Sequence, residues 1–245
     1  MAVLVDGISY PARDSLMAAI GDAWARLARP GTWWTGAERI AIVAEVRRAE
    51  DCALCQARKA ALSPYAVAGR HDSCGGLPAA AVEAIHRLKT DAARVTERWV
   101  REISAGALGE ERYIEIVGIV AIVTGLDTFD DALGRPRRPL PAACPGEPDR
   151  RRPIGAKRDL ALVSTVAPED VAPGEPNPYP LHGDKNIHRA LSLVPQEVIN
   201  FFDLDVELYL RDHEIRDFAH EYRAISHAQI ELIAGRASAL NRCYY

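Results

Sequence analysis

The chain lacks the features that most quickly assign a protein of its size. No apolar run is long enough to span a bilayer, since the most apolar segment, 114–123, is short and carries Glu115. There is no GxSxG, P-loop, GxGxxG or HExxH, so the common hydrolase, nucleotide and zincin signatures are absent. Neither sign of charge dominates: the net charge is −4, with acids and bases interspersed. That excludes an extended nucleic-acid groove or an anionic membrane surface as the expected main partner. The opening Met1-Ala-Val-Leu-Val5 is cut short by Asp6 and does not read as a secretory leader. Cysteine is scarce, and the five present form an odd, scattered set containing one CxxC. Such a set fits a cytoplasmic protein with a redox or metal motif better than a disulfide scaffold.

What is present is mostly helical periodicity. Leu16, Ile20, Trp24 and Leu27 share one face of a segment stopped by Pro30-Gly31. Further helices are expected over 36–49, on to about Leu62, 79–89, 91–105, 110–133, 187–193, 195–209, 212–222 and 227–242. Strand signals are few, such as Leu160 to Thr165. Eleven of the sixteen prolines lie between 134 and 180, a density that forbids regular structure and predicts an extended connector on the surface. The basic spots Arg135 to Arg138 and Arg150 to Arg152 read as its solvated face. The expected fold is therefore all-α, with helical lobes over 1–133 and 186–245 joined by a Pro-rich linker over 134–185.

One helix start occurs twice. Thr35 and Glu38 precede a helical stretch that leads to Cys52, while Ser226 and Gln229 precede one that leads to Cys243. The two match at a shift of 191 residues, with Ile42, Val46 and Ala49 falling on Ile233, Ala237 and Leu240. Both pairs have the spacing of a capping box, which satisfies orphan amides at a helix start.

The chemistry centres on Cys52-x2-Cys55. A CxxC opening a helical turn brings two sulfurs together where helix-terminal amides favour thiolate, a pairing suited to thiol–disulfide exchange. Glu45 lies two turns before Cys52 on the same helical face, and His71-Asp72 sits in a Gly-flanked loop, so both are candidate proton-transfer groups. Glu231 falls within an apolar pattern, which suggests burial and a raised pKa, or pairing with Arg236. His86 reads as a packing histidine of an amphipathic helix. An alternative joins Cys52, Cys55, His71 and Cys74 as a zinc set at ribbon-like spacing. A lyase acting through Arg70, His71 and Glu45 is a further possibility.

The stretch from Glu38 through Cys55, the helix Tyr113 to Val120 with Phe129 and Leu133-Gly134, and Ile230 to Tyr245 resemble the alkylhydroperoxidase AhpD-like superfamily. That superfamily includes carboxymuconolactone decarboxylases, and the similarity is to its two-copy, peroxidase-related branch. The resemblance implies a peroxidase-type oxidoreductase in which Cys55 attacks a peroxide and Cys52 resolves it, with no cofactor. It also implies a Glu/His proton relay, but the relay positions hold Ile40 and Lys59. In the second copy Glu231 and Cys243 match, and a continuation past Tyr245 is expected to complete a second site in which Glu231 faces Cys243 across a pocket. Implied partners are a small peroxide or organic acid and a thiol reductant, in a homo-oligomer of two or three copies.

Overall fold

The computed structural model describes the backbone of residues 2–5 and 8–243 and the side chains of 12–180 and 183–243. Tyr244 and Tyr245 lie outside the described residues, as does any continuation beyond them. An antiparallel hairpin, β1 (Ala2–Val5) and β2 (Ile8–Pro11), precedes a fold built of helices. These are α1 (Asp14–Leu27), α2 (Gly36–Arg48), α3 (Ala53–Ala60), α4 (Ala79–Asp91), α5 (Glu97–Ala105) and α6 (Glu110–Ala132), followed by α7 (Tyr179–His182), α8 (Asn186–Arg189), α9 (Pro195–Leu208), α10 (Asp212–Ile215) and α11 (His227–Leu240). The all-α expectation holds, apart from the hairpin and one isolated bridge between Lys157 and Thr165. Among the described residues no helix is long and apolar enough to cross a membrane.

α6 is the spine. Its apolar middle, Ile116, Ile119, Ile122, Val123 and Leu126, is buried against α2, α4 and α9, while α1 packs on α9. The buried cluster takes in Val163 from the Pro-rich stretch and Leu193, Val198 and Phe202 from the region after it. Packing thus runs through all three expected segments. The Pro-rich stretch is pinned as well as extended: Cys144 N donates to Ala28 O, and Ser164 N donates to a carboxylate oxygen of Glu110. Its basic spots are not simply solvated. Arg137 pairs with Glu50 and Asp131, Arg138 with Asp130, and Arg152 with Glu110 and Glu111.

Two buried glutamates meet one arginine at the centre. Arg39 of α2 bonds Glu115 of α6 and, at 2.9 Å, Glu197 of α9. Glycine permits this approach: a Cβ on Gly31 would collide with the Glu115 carboxylate, and one on Gly118 would come within 2.8 Å of Glu197.

Both expected capping boxes form. Thr35 Oγ1 accepts from Glu38 N and Ser226 Oγ from Gln229 N, each at 3.3 Å, with the Glu or Gln side chain returning to the cap amide. The helices they start differ in burial. α2 is a core helix, whereas α11 buries only His227 and leaves Leu232, Ile233 and Leu240 more than half exposed. The helix expected over 187–193 ends at Arg189, and two further boundaries move for local reasons. Asp91 is held by Arg87 and Arg94, so it ends α4 and Thr96 caps α5 instead. The expected helix over 212–222 stops at Ile215, because the Asp217 carboxylate accepts from Ala219 N, His220 and Tyr222 and holds a turn in its place.

Candidate functional site

The site forms where α2, α3, α4 and the loop 61–78 converge. α2 ends in a 3-10 turn, Ala49–Asp51, that turns the chain so that Cys52 takes extended geometry as the N-cap of α3. No Cys52 side-chain bond caps α3. The Asp72 carboxylate from the loop accepts from Ala53 N at 2.8 Å instead, a favourable charge at a helix N-terminus. One turn on, Cys55 points to the same side. Cys52, Leu54 and Cys55 form a small buried cluster with Val67, apart from the main core.

Two imidazoles face these sulfurs. His71 Nδ1 lies 3.5 Å from both Cys52 Sγ and Cys55 Sγ, and His86 Nδ1 lies 3.2 Å from Cys55 Sγ. The two rings are tilted with centroids 4.2 Å apart. All four ligand-type atoms lie within 4.8 Å of one another, so Cys52, Cys55, His71 and His86 could hold a metal ion. Each imidazole is backed through its other nitrogen. His86 Nε2 meets Glu45 Oε1, and His71 Nε2 meets Glu83 Oε2, both at 2.8 Å. The carboxylates are fixed in turn: Ser73 Oγ and Cys74 N donate to Glu45, and Arg58 and Trp99 Nε1 donate to Glu83. Asp72 N points at Cys52 Sγ at 3.4 Å.

The electrostatics favour charge separation here. Burial opposes thiolate at Cys52, but the Asp72 and Cys55 amides and His71 outweigh it and lower its pKa. Burial likewise opposes a charged His71, yet the neighbouring Cys55, Glu83 and Cys52 raise it to about 10. Burial pushes His86 the other way, toward the neutral form. The Glu83 carboxyl, despite burial, is held at about 2 by His71 and Arg58. The site therefore favours a positive group beside its sulfurs.

The structure brings together four of the residues singled out from the sequence, Cys52, Cys55, Glu45 and His71. It adds His86, which the sequence assigns to packing but which faces Cys55, and Glu83, which sequence reasoning did not single out. A signal existed, since Glu83-x-x-His86 puts an acid and an imidazole on one helix face, a spacing used for metals in helical bundles. The expected zinc set is corrected at one position: Cys74 is exposed and contributes its amide to Glu45, while His86 completes the tetrad. A site without cofactor capacity is likewise not what this cluster fits. The second-copy residues do not meet. Glu231, on the second turn of α11, is exposed and accepts from Tyr209 Oη, with His227 Nε2 3.6 Å away, and is not buried with Arg236. Cys243 is exposed beyond the other end of that helix, about 18 Å away at 1.5 Å rise per residue.

A pocket of about 290 Å³ beside the cluster is lined by Glu50, Cys55, Gln56, Lys59, Lys89 and Thr90. No family model, curated protein or solved structure matches the chain.

Proposed function

We propose that this protein binds zinc through Cys52, Cys55, His71 and His86, and that the ion ties α3 and the loop 61–78 to α4. The observation that carries this reading is the pair of carboxylate-backed imidazoles, each presenting Nδ1 to the same two sulfurs. Proton transfer at one thiol needs a single imidazole, whereas a closed tetrahedral centre needs both. The spacing agrees. Zn–S bonds of about 2.3 Å and Zn–N bonds of about 2.0 Å at a tetrahedral angle give an S···N edge of about 3.5 Å. Three of the four sulfur–nitrogen separations here are 3.2, 3.5 and 3.5 Å, and the fourth, between Cys52 and His86, is within 4.8 Å. Carboxylates behind ligating histidines orient the ring and raise ligand basicity, the role available to Glu45 and Glu83. Four protein ligands leave no open position, so the centre is of the structural kind.

The test is elemental analysis of reduced protein purified without added metal. Zinc at one equivalent, lost together with α3 protection on chelation, supports the reading. Protein that neither carries nor takes up zinc would end it.

A second reading is favoured by one part of the same geometry. The chain Cys55, His86, Glu45 has the order nucleophile, base, orienting acid, with separations of 3.2 and 2.8 Å. It supplies the proton relay that Ile40 and Lys59 do not. On this reading the metal-free protein is a thiol peroxidase or disulfide oxidoreductase of AhpD-like character, regenerated by a thiol reductant. Peroxide turnover by metal-free protein that is abolished in Cys55→Ser supports it, and unchanged turnover in that variant refutes it.

A further inference from the structure

We propose that a second cavity, between α11 and the rest of the fold, binds a free fatty acid, with its carboxylate at Arg13 and Arg223 and its acyl chain along α11. This is independent of how the Cys52–Cys55 centre is read. Three observations carry it. The first is size: the cavity measures about 880 Å³, inside the roughly 300–1,000 Å³ of small-molecule sites and far more than a short acid fills. The second is its apolar lining. Leu16 of α1, Phe129 of α6 and Leu208 of α9 face it from the body, and Ile230 and Ile233 face it from α11. Ile233 lines the cavity and is still 60 % exposed, and α11 buries only His227, so an acyl chain would give this helix the apolar cover it lacks.

The third observation is charge. Among the described lining residues the charged ones are Arg13, Arg223 and Glu207, two guanidiniums against one carboxylate. Behind them Arg211 faces Glu207 and Glu214 faces Arg223, each at 3.7 Å, which leaves the excess at one positive charge. That excess suits a monoanion rather than a phosphate dianion, and guanidinium forks match a carboxylate in shape. Both arginines are positioned in advance by the end of α9, the negative pole of its dipole. Arg13 donates to the Glu207 carbonyl and, at 2.6 Å, to its carboxylate. Arg223 donates to the carbonyls of Val206 at 3.3 Å and Tyr209 at 2.7 Å. Burial and then the nearby Arg13 lower the Arg223 pKa, a repulsion that a bound carboxylate relieves. Arg13 keeps 40 % of its side chain exposed and Arg223 18 %, which leaves both open to an entering anion.

The experiment is calorimetric titration of the full chain with decanoate, dodecanoate and decanol, each below its micellar concentration. One saturable site is expected, with affinity rising about fourfold per added methylene. Arg13→Gln and Arg223→Met should each weaken decanoate about tenfold or more and leave decanol unchanged. Ala234→Trp, which puts a ring into the cavity from α11, should weaken both. Decanoate should also slow amide exchange within α11, and should not do so in Ala234→Trp. Unfolding midpoints without ligand establish that each variant is folded, and Arg13→Gln, at the more exposed arginine, carries the charge test if Arg223→Met is not. Absence of saturable binding overturns the proposal, as does unchanged decanoate affinity in Ala234→Trp or an equal loss of decanoate and decanol in Arg13→Gln. A dimer whose assembly protects α11 without any ligand would assign the cavity to a second copy of the chain and overturn it too.

Discussion

His86 and Glu45 form a fully buried pair on neighbouring helices, with Nε2 and Oε1 2.8 Å apart, and this contact turns the other imidazole nitrogen toward Cys55. Its consequence is measurable as metal affinity. Glu45→Gln keeps the shape but weakens the acceptor, and zinc affinity should fall about 10–100-fold. Competition with a calibrated chelator measures it; unchanged affinity would mean that Glu45 does not support a ligand.

Cys74 and His86 are separated by a simple comparison. His86→Ala should lose most bound zinc, while Cys74→Ser should retain a full equivalent, because Cys74 offers the site its amide and not its sulfur. Elemental analysis of the two variants decides it, and loss of zinc from Cys74→Ser would restore the ribbon-like ligand set.

Arg39 balances two buried carboxylates. Arg39→Met would leave Glu115 and Glu197 facing each other with no cation, at a cost of about 3–5 kcal/mol. Denaturant unfolding should show that loss, partly recovered in Arg39→Met combined with Glu197→Gln.

Asp205 makes one contribution to the pH dependence whose sign follows from its burial. Burial raises its carboxyl to about 6. The folded chain therefore holds this proton where the unfolded chain, at about 3.9, has released it. This contribution to stability is fully present below pH ~4 and is lost as pH rises through about 6. Asp205→Asn should accordingly stabilise the protein above pH ~6, by no more than about 2 kcal/mol given the partly exposed side chain. An unchanged pH profile of unfolding in that variant would count against burial of the charge.

The two capping boxes should differ in effect although their chemistry matches. Thr35→Ala should lower global stability by about 1 kcal/mol. Ser226→Ala should instead speed amide exchange within α11 with little change in the unfolding midpoint, because α11 buries almost nothing. Equal shifts in midpoint would show α11 to be part of the cooperative core.

Local signals told the truth about local structure. Thr35-x-x-Glu38, Ser226-x-x-Gln229 and the apolar period of 110–133 were legible because caps and helix faces depend on residues three or four apart. The turn at Asp217 was not, because its carboxylate competes with the helix for the same backbone amides. The similarity of α2 and α11 was legible too, but not its meaning. A short apolar period does not say whether another helix will cover it.

The sequence by itself determined most of the helices, the starts at Thr35 and Ser226 and a CxxC at the head of a helix. Only the tertiary structure decided which imidazoles face those sulfurs. His71 comes from a loop 16 residues after Cys55 and His86 from a helix 31 residues after it. Each is turned by an acid from a different part of the chain. Helix starts follow from a few consecutive residues. A cluster of two cysteines and two histidines follows from how α2, α3 and α4 pack, and that depends on a core built from distant parts of the chain.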